Sequence, residues 1–308
     1  MEKVKKSELI FLYDLAWANP NGDPNDANKP RIDEETSKNI VTDVRLKRTI
    51  RDELYANGCE ILVRDTYNED GTLKDGKNRA KDFLEDGINI AKMNDAEKNI
   101  LKENVKKCID VRLFGCTLPY ENGSVIYTGP VQFKMGYSLN EVKCEYIKGT
   151  GAFASGEGSE QKTFRQEYVL PYSLINFYGM INSRSAVETN LTEEDINKML
   201  KSMWSGTQNL ITRTKVGQQP RLLIRVAYKD EDYYIGSLDK YIKYECENSF
   251  EVRNINDGKL IFNDIKDVLL KNKDAIEFVY IRMDAQINCD INIIDELKKG
   301  GINVVENC

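Results

Sequence analysis

The feature that most constrains this chain is an apolar run that stops abruptly. Ser7 to Trp17 is rich in Leu, Ile, Phe, Tyr and Trp and reads as a buried first strand. It ends at Asn19-Pro20-Asn21-Gly22-Asp23-Pro24-Asn25-Asp26, where two prolines, a glycine and several Asn and Asp residues permit only a loop. The chain stays polar through Pro30-Arg31. A helix then begins after Thr42, a good N-cap, with Asp43 in the positive first turn. Leu46, Ile50 and Leu54 form its buried stripe. Arg45, Arg48 and Arg51, three apart, drift along an exposed face, with Lys47 one turn before Arg51. A strand, a turn-rich loop and a basic helix thus follow one another.

Residues 55–111 are polar and partly helical, and read as a helical insertion. Ala96 to Val111 carries an amphipathic pattern, and Gly115 is a candidate helix stop. Val125 to Leu139 reads as a strand broken at Gly129-Pro130. Residues 147–166 hold four glycines among small polar residues, with Phe153 and Phe164 isolated. They suit either a flexible protruding hairpin or a disordered surface loop. Tyr168 to Phe177 is strand-like. Thr192 caps a second helix, Asp195 can reach back to it, and Gly206 is expected to end it. Arg221 to Tyr228 reads as a strand. Weaker signals place a helix at Asp264 to Asn272 and a strand near Phe278 to Arg282. The order suits an α+β fold, a split βαβ sheet of ferredoxin or RRM type, in one domain spanning 1–308 with insertions.

The chain has no histidine. Imidazole is the usual general base near neutral pH and the commonest metal ligand. Ser-His-Asp and Cys-His pairs and zinc helices are therefore excluded. Seven scattered cysteines form no C-x-x-C pair, which argues against disulfides and a cysteine zinc site and fits a reducing cytoplasm. No stretch resembles a membrane span, and no secretory signal follows Met1 to Ser7. No metal or cofactor is expected.

The net charge is −6, yet it is unevenly spread. Ile196 to Lys229 holds seven basic residues and no acidic one, whereas Asp230 to Cys308 holds 17 acidic and 10 basic. Phosphate binding depends on local potential, not on the average. Three constellations are candidates. The loop around Asn21, with Thr42 and the first-helix cations, could approach a phosphate through backbone N–H groups, or be a tight turn before a solvated helix. Thr212 to Arg221, with Arg213, Lys215 and Gln218, is either a phosphate- and sugar-binding donor cluster or a hydrophilic hairpin. Asp14, Asp23 and Asp26 could hold Mg²⁺, or Asp23 and Asp26 could simply form turns.

These blocks, taken in order, resemble the opening of the CRISPR-associated Cas-seven superfamily (RAMP proteins), nearest its type I-B and I-C branches. They are Asn19 to Pro24, Pro30-Arg31 with Asp33, Val41 to Val44 and Leu46-Lys47-Arg48. Asp110 to Gly115, Thr128 to Phe133 and Leu191 to Asp195 continue the match. Trp204 with Gly206-Thr207, Leu210 to Arg213, Lys215, Gly217-Gln218 and Pro220 to Leu223 complete it. The last third adds little. Where related members often carry histidine before a glycine, this chain has Tyr178-Gly179, so a histidine-dependent nuclease activity is excluded.

The resemblance implies an RRM-like palm, a helical insert and a thumb, here 147–166. It implies a non-catalytic backbone subunit of a type I Cascade complex in antiviral defence. Several copies would lie head to tail along a CRISPR RNA, beside other Cascade subunits, and present the guide to target DNA. Under it, Asn21, Thr42, Arg45, Lys47, Arg48, Arg51, Arg213, Lys215, Gln218 and Arg221 would meet the RNA backbone. Phe153, Phe164 and Arg165 of the thumb would wedge or stack against bases. The alternative is a metal-dependent endoribonuclease that cuts target RNA with a loop aspartate, Asp23 or Asp26.

Overall fold

A computed structural model describes residues 3–85, 87–154 and 162–306. The chain opens with β1 (Ser7–Ala18), followed by β2 (Gly22–Asp23), β3 (Lys29–Asp33) and β4 (Lys38–Val41). α1 (Asp43–Ala56) comes next. Thr42 caps it as expected, its Oγ1 accepting from Arg45 N at 3.3 Å. The insertion carries α2 (Gly76–Lys81), α3 (Asp95–Val105) and α4 (Ile109–Phe114), then the hairpin β5 (Gly115–Tyr120) and β6 (Gly123–Thr128). The helix pattern read over Ala96 to Val111 is split in two at 106–108. β7 (Val131–Phe133), β8 (Gly136–Glu141), β9 (Glu145–Ala154) and the long β10 (Lys162–Ile181) follow. α5 (Ser183–Thr189), α6 (Glu193–Gln208) and β11 (Gln219–Tyr228) return to the core. The last third holds β12 (Lys243–Cys246), β13 (Gly258–Ile261), α7 (Asn263–Lys271), β14 (Ile276–Met283), α8 (Ile293–Lys299) and β15 (Val304–Glu306).

Among the described residues one large mixed sheet runs β15-β14-β11-β1-β10-β8-β4-β3-β2, with β7 and β9 also paired to β10. β1 lies inside it, antiparallel to both β10 and β11. That position explains the apolar run: side chains alternate faces along a strand, and both faces of β1 are covered. Leu9, Phe11, Tyr13 and Leu15 meet α1 and α6 through Leu46, Ile50, Met199 and Met203. Ile10 and Leu12 join Leu222, Ile224, Phe262, Leu269 and Leu297 on the other face. The last third, whose individual signals were weak, is thus the second cover of the sheet. A third core, with Leu62, Ala80, Leu101, Val105 and Val111, lies within the insertion.

One helix stop read from the sequence changes and one holds. Gly206 does not end α6, which continues to Gln208. A Cβ there would lie 2.9 Å from Glu53 Cβ and 3.1 Å from Thr49 O, so the glycine lets α6 press against α1. Gly115 does end α4, with φ +73°. Glu8, unremarked in the sequence, is fully buried within β1. It accepts from the Tyr178 and Tyr228 hydroxyls and from Ile235 N and Gly236 N, which pins the 229–237 loop to the sheet.

Candidate nucleic-acid interface

Three segments meet where β1 leaves the core. The first is the loop at Asn19 to Asp23. Asn21 Oδ1 accepts from Thr42 N and Thr42 Oγ1, both at 2.9 Å, and so ties the loop to the start of α1. Arg31 donates to Asn21 O at 3.1 Å and Gly22 O at 2.8 Å, bracing the turn from behind. The second segment is the first two turns of α1, with Arg45. The third is the connection from α6 to β11, residues 209–218. Asn19 N donates to Thr214 O at 2.8 Å, which sets the first and third segments side by side.

Arg45 and Lys215 come together here. Among the described residues the Arg45 side chain bonds only Thr49 Oγ1, at 3.1 Å, and it lies near the buried Tyr13. Neither cation has a carboxylate within ion-pair distance among the described residues, although both are half-buried. Burial holds both pKa values below their ordinary range, and for Lys215 the Arg45 charge lowers it further. Two like charges held close and half out of water, with Asp52 acting on Arg45 only from beyond ion-pair distance, are costly unless an anion occupies the site. Near Lys215 in the chain, Gln218 is 3% exposed and its Nε2 has no acceptor among the described residues. Asn19 Oδ1 is likewise buried and unpartnered. Buried amides without partners are rare in folded proteins. This corner therefore presents two half-buried cations without a paired carboxylate to an anion from outside, beside a buried amide donor. Asn19 stood in the quoted loop motif, but nothing in its sequence context separated it from its neighbours.

Other residues read as candidates hold the fold. Arg51 Nε donates to the fully buried Asp110 at 3.0 Å. Arg221 lies 2.9 Å from Asp14 and also grips Asp284. Lys47 bridges Asp43 at 3.1 Å and Gln132 at 2.8 Å. Arg48 is exposed and pairs with Asp52 at 2.8 Å. Arg213 is exposed and reaches Glu167 on β10 at 2.6 Å. That contact ties the 209–218 connection to the root of the β9–β10 hairpin, whose backbone ladder runs from Val169 opposite Glu145 to Lys162 opposite Ala154. The side chains of Phe153, Phe164 and Arg165 lie outside the described residues.

The aspartates do not converge. Asp14 is buried against Arg221 and Tyr172, whose hydroxyl donates to it at 2.8 Å. Asp23 accepts from Asn25 N at 2.9 Å, as a turn former does, and Asp26 pairs with Lys29 at 2.8 Å.

The model of the family described as "CRISPR-associated protein Cas7" matches residues 5–263. A CRISPR-associated protein Cas7 from Haloferax volcanii is 32% identical over 94% of this chain and 90% of its own length. The chain belongs to the Cas7 family. Its fold is shared with solved chains. One, from a "CRISPR RNA-guided surveillance complex, pre-nicking", has TM-score 0.56 at 15% identity, covering 96% of this chain and 99% of that one. Another, from a "CRISPR RNA-guided surveillance complex", has TM-score 0.51 at 12% identity, covering 96% and 98%.

Within this Cas7 chain, the blocks that carry the resemblance do two kinds of work. The Asp110 to Gly115 block is a clamp. Asp110 takes Arg51 and also accepts from Leu62 N at 2.8 Å and Val63 N at 3.1 Å. Arg112 makes a bidentate pair with Asp195 at 2.6 and 2.9 Å. Asp195 in turn closes the capping box with Thr192 that starts α6. Its carboxyl is held below the usual range, because Arg112 and the Thr192 bonds outweigh the burial that would raise it. The Asn19 to Asp23 and Arg213 to Gln218 blocks instead build the unneutralised corner.

Proposed function

We propose that this Cas7 chain is the guide-RNA-holding backbone subunit of a CRISPR surveillance complex of the type I Cascade kind, nearest type I-B, and performs no chemistry itself. The observation that carries this is the Arg45–Lys215 pair, half-buried and, among the described residues, without a carboxylate at ion-pair distance, beside a Gln218 amide that has no partner there. A guide-holding protein must grip any sequence. Cations and amide donors aimed at phosphate and sugar do so, and base pairing then reads the target DNA. Asn21 and Thr42 shape this grip, while Arg48 and Arg213 extend it along the surface by exchanging their carboxylates for phosphates.

The fold supports a ferredoxin-like palm. β1, α1, β8, β10, α6 and β11 follow in that order, and the strands lie as β11-β1-β10-β8. The core within the insertion favours treating it as a separate lobe, and the β9–β10 hairpin is the thumb. Several copies would follow one RNA head to tail, a heterologous contact that extends instead of closing. The acidic last third would face the neighbouring copy.

The test is RNA retention. The chain is co-expressed with a CRISPR RNA, purified at moderate salt, and assayed for size and for the ratio of nucleic-acid to protein absorbance. Wild type carries protected RNA in large particles; the Arg45→Glu, Lys215→Glu double variant elutes small and RNA-free. A double variant that keeps its RNA sinks the proposal.

A further inference from the structure

We infer that Trp17 is a stacking platform for a base of the same single-stranded RNA; the inference rests on the reading above and names a second contact at that site. The two tryptophans are treated in opposite ways. Trp204 is 6% exposed, with the Arg282 guanidinium 4.3 Å from its ring centroid. Trp17 is 57% exposed at the end of β1, with φ +50°. The left-handed region is unfavourable for a bulky L-residue, and such a conformation persists only where its surroundings enforce it.

The ladder is interrupted at the same position. Ala16 pairs with Tyr172 and Ala18 with Leu170, but Trp17 is passed over, and Pro171 between those partners has no N–H to donate. Glycine would adopt this φ freely. An exposed indole adds nothing to the core in return. Folding alone therefore does not reward a tryptophan here.

Its neighbourhood does. The bond from Asn19 N to Thr214 O sets the end of β1 beside the turn that carries Lys215. On that connection Ile211 is 75% and Val216 57% exposed. Apolar faces thus lie beside Lys215 across two adjacent segments, with Arg45 of α1 next to it. A single-stranded nucleic acid presents the same alternation of flat bases and phosphates, and base–aromatic stacking tolerates every sequence. An apolar patch on another copy of the chain would instead bury Arg45 and Lys215 without a counterion, which is unfavourable.

Trp204→Phe leaves Trp17 as the sole indole and a direct reporter. We expect an unstructured single-stranded RNA to quench its emission and shield it from acrylamide. Trp17→Ala should weaken binding roughly 10- to 100-fold, the range for one base–aromatic stack, with Trp17→Phe recovering most of it. Trp17→Gly should melt no lower than wild type while binding as weakly as the alanine variant. RNA that binds without changing Trp17 emission, or binds Trp17→Ala as tightly as wild type, overturns the inference and leaves the guide-RNA reading standing. A glycine variant of lower melting temperature assigns Trp17 to packing and overturns it too. Emission that responds to protein concentration without RNA assigns the ring to a copy-to-copy contact. Wild type that binds no RNA overturns the guide-RNA reading itself, and this inference with it.

Discussion

Replacing Lys215 with glutamine should raise the stability of the RNA-free protein and weaken its hold on RNA. Lys215 is half-buried beside Arg45, and its pKa is lowered by burial first and by the Arg45 charge second. A lysine whose folded pKa lies below its unfolded value destabilises the fold at neutral pH. That penalty is relieved as pH rises from the lowered folded value toward the unfolded value of about 10.4, because there the unfolded chain binds more protons. Glutamine removes the charge while keeping polar length, so the wild-type gain on the alkaline side should vanish in the variant. Half-exposure screens the repulsion, so the stability gain is about 0.5–1 kcal/mol, the scale of partly solvated charge pairs. For a chain of this size that is a rise in melting temperature of roughly 1–3 °C.

Binding moves the other way. A charge-assisted hydrogen bond is worth about 1.5–3 kcal/mol, so affinity should fall roughly 10- to 100-fold. The slope of log K against log salt should shrink by about 0.7, the value for one phosphate contact on a single strand. Differential scanning calorimetry without RNA and fluorescence anisotropy across a salt series read the two effects separately. A variant that melts lower and binds with an unchanged salt slope would show that Lys215 serves packing, and would refute the charge argument.

Asp110→Ala strands the Arg51 guanidinium and the N–H groups of Leu62 and Val63. It should cost about 3–5 kcal/mol, read as a shift in the urea midpoint, and a loss under 1 kcal/mol would contradict the clamp. Gly206→Leu should separate α6 from α1 at a cost of about 1–3 kcal/mol from overpacking, more than the roughly 1 kcal/mol that helix propensity returns. An unchanged melting temperature would show that the helices do not meet there. With Mg²⁺ and a guide-matched target RNA, wild type and Asp23→Ala should leave the target equally intact. Wild-type cutting abolished in the variant would install the ribonuclease alternative.

The parts of the fold that could be read were those whose signal is local. The β1 run, the Thr42 cap and the Thr192–Asp195 box each announce themselves within a few residues. The second cover of the sheet does not, because α7 and α8 are short and become apolar faces only together, against Leu222 and Ile224. Gly206 shows a different limit: a helix stop and a close approach call for the same residue, and only the partner helix tells them apart. The candidate site failed in the same way. The acid-free stretch 196–229 seemed wholly unneutralised, yet Arg225 finds Glu193 32 residues away and Arg221 finds Asp284 63 away. Arg51 looked like an outward cation because Asp110 is 59 residues distant. Spacing could nominate the cations of the site, but only folding decides which are left without a paired carboxylate, and among the described residues these are Arg45 and Lys215.

That remainder has a consequence for how such a protein would hold a guide. A chain that keeps, among its described residues, two half-buried cations without a paired carboxylate at one corner should grip RNA only weakly alone. Each copy offers only a few phosphate contacts, and single-strand affinity falls by about 0.7 in log K per contact for each tenfold rise in salt. Several copies along one guide change the arithmetic. Once the first is seated, the next binds its neighbour and the RNA together, and effective concentration multiplies modest contacts into a persistent hold. Weak binding per copy then has a use. A negative surface limits attachment to unrelated RNA, whereas a guide long enough for several copies is retained. On this reading the isolated chain and the assembled filament should differ far more in RNA lifetime than in contacts per copy. A tight, salt-resistant monomer–RNA complex would contradict it.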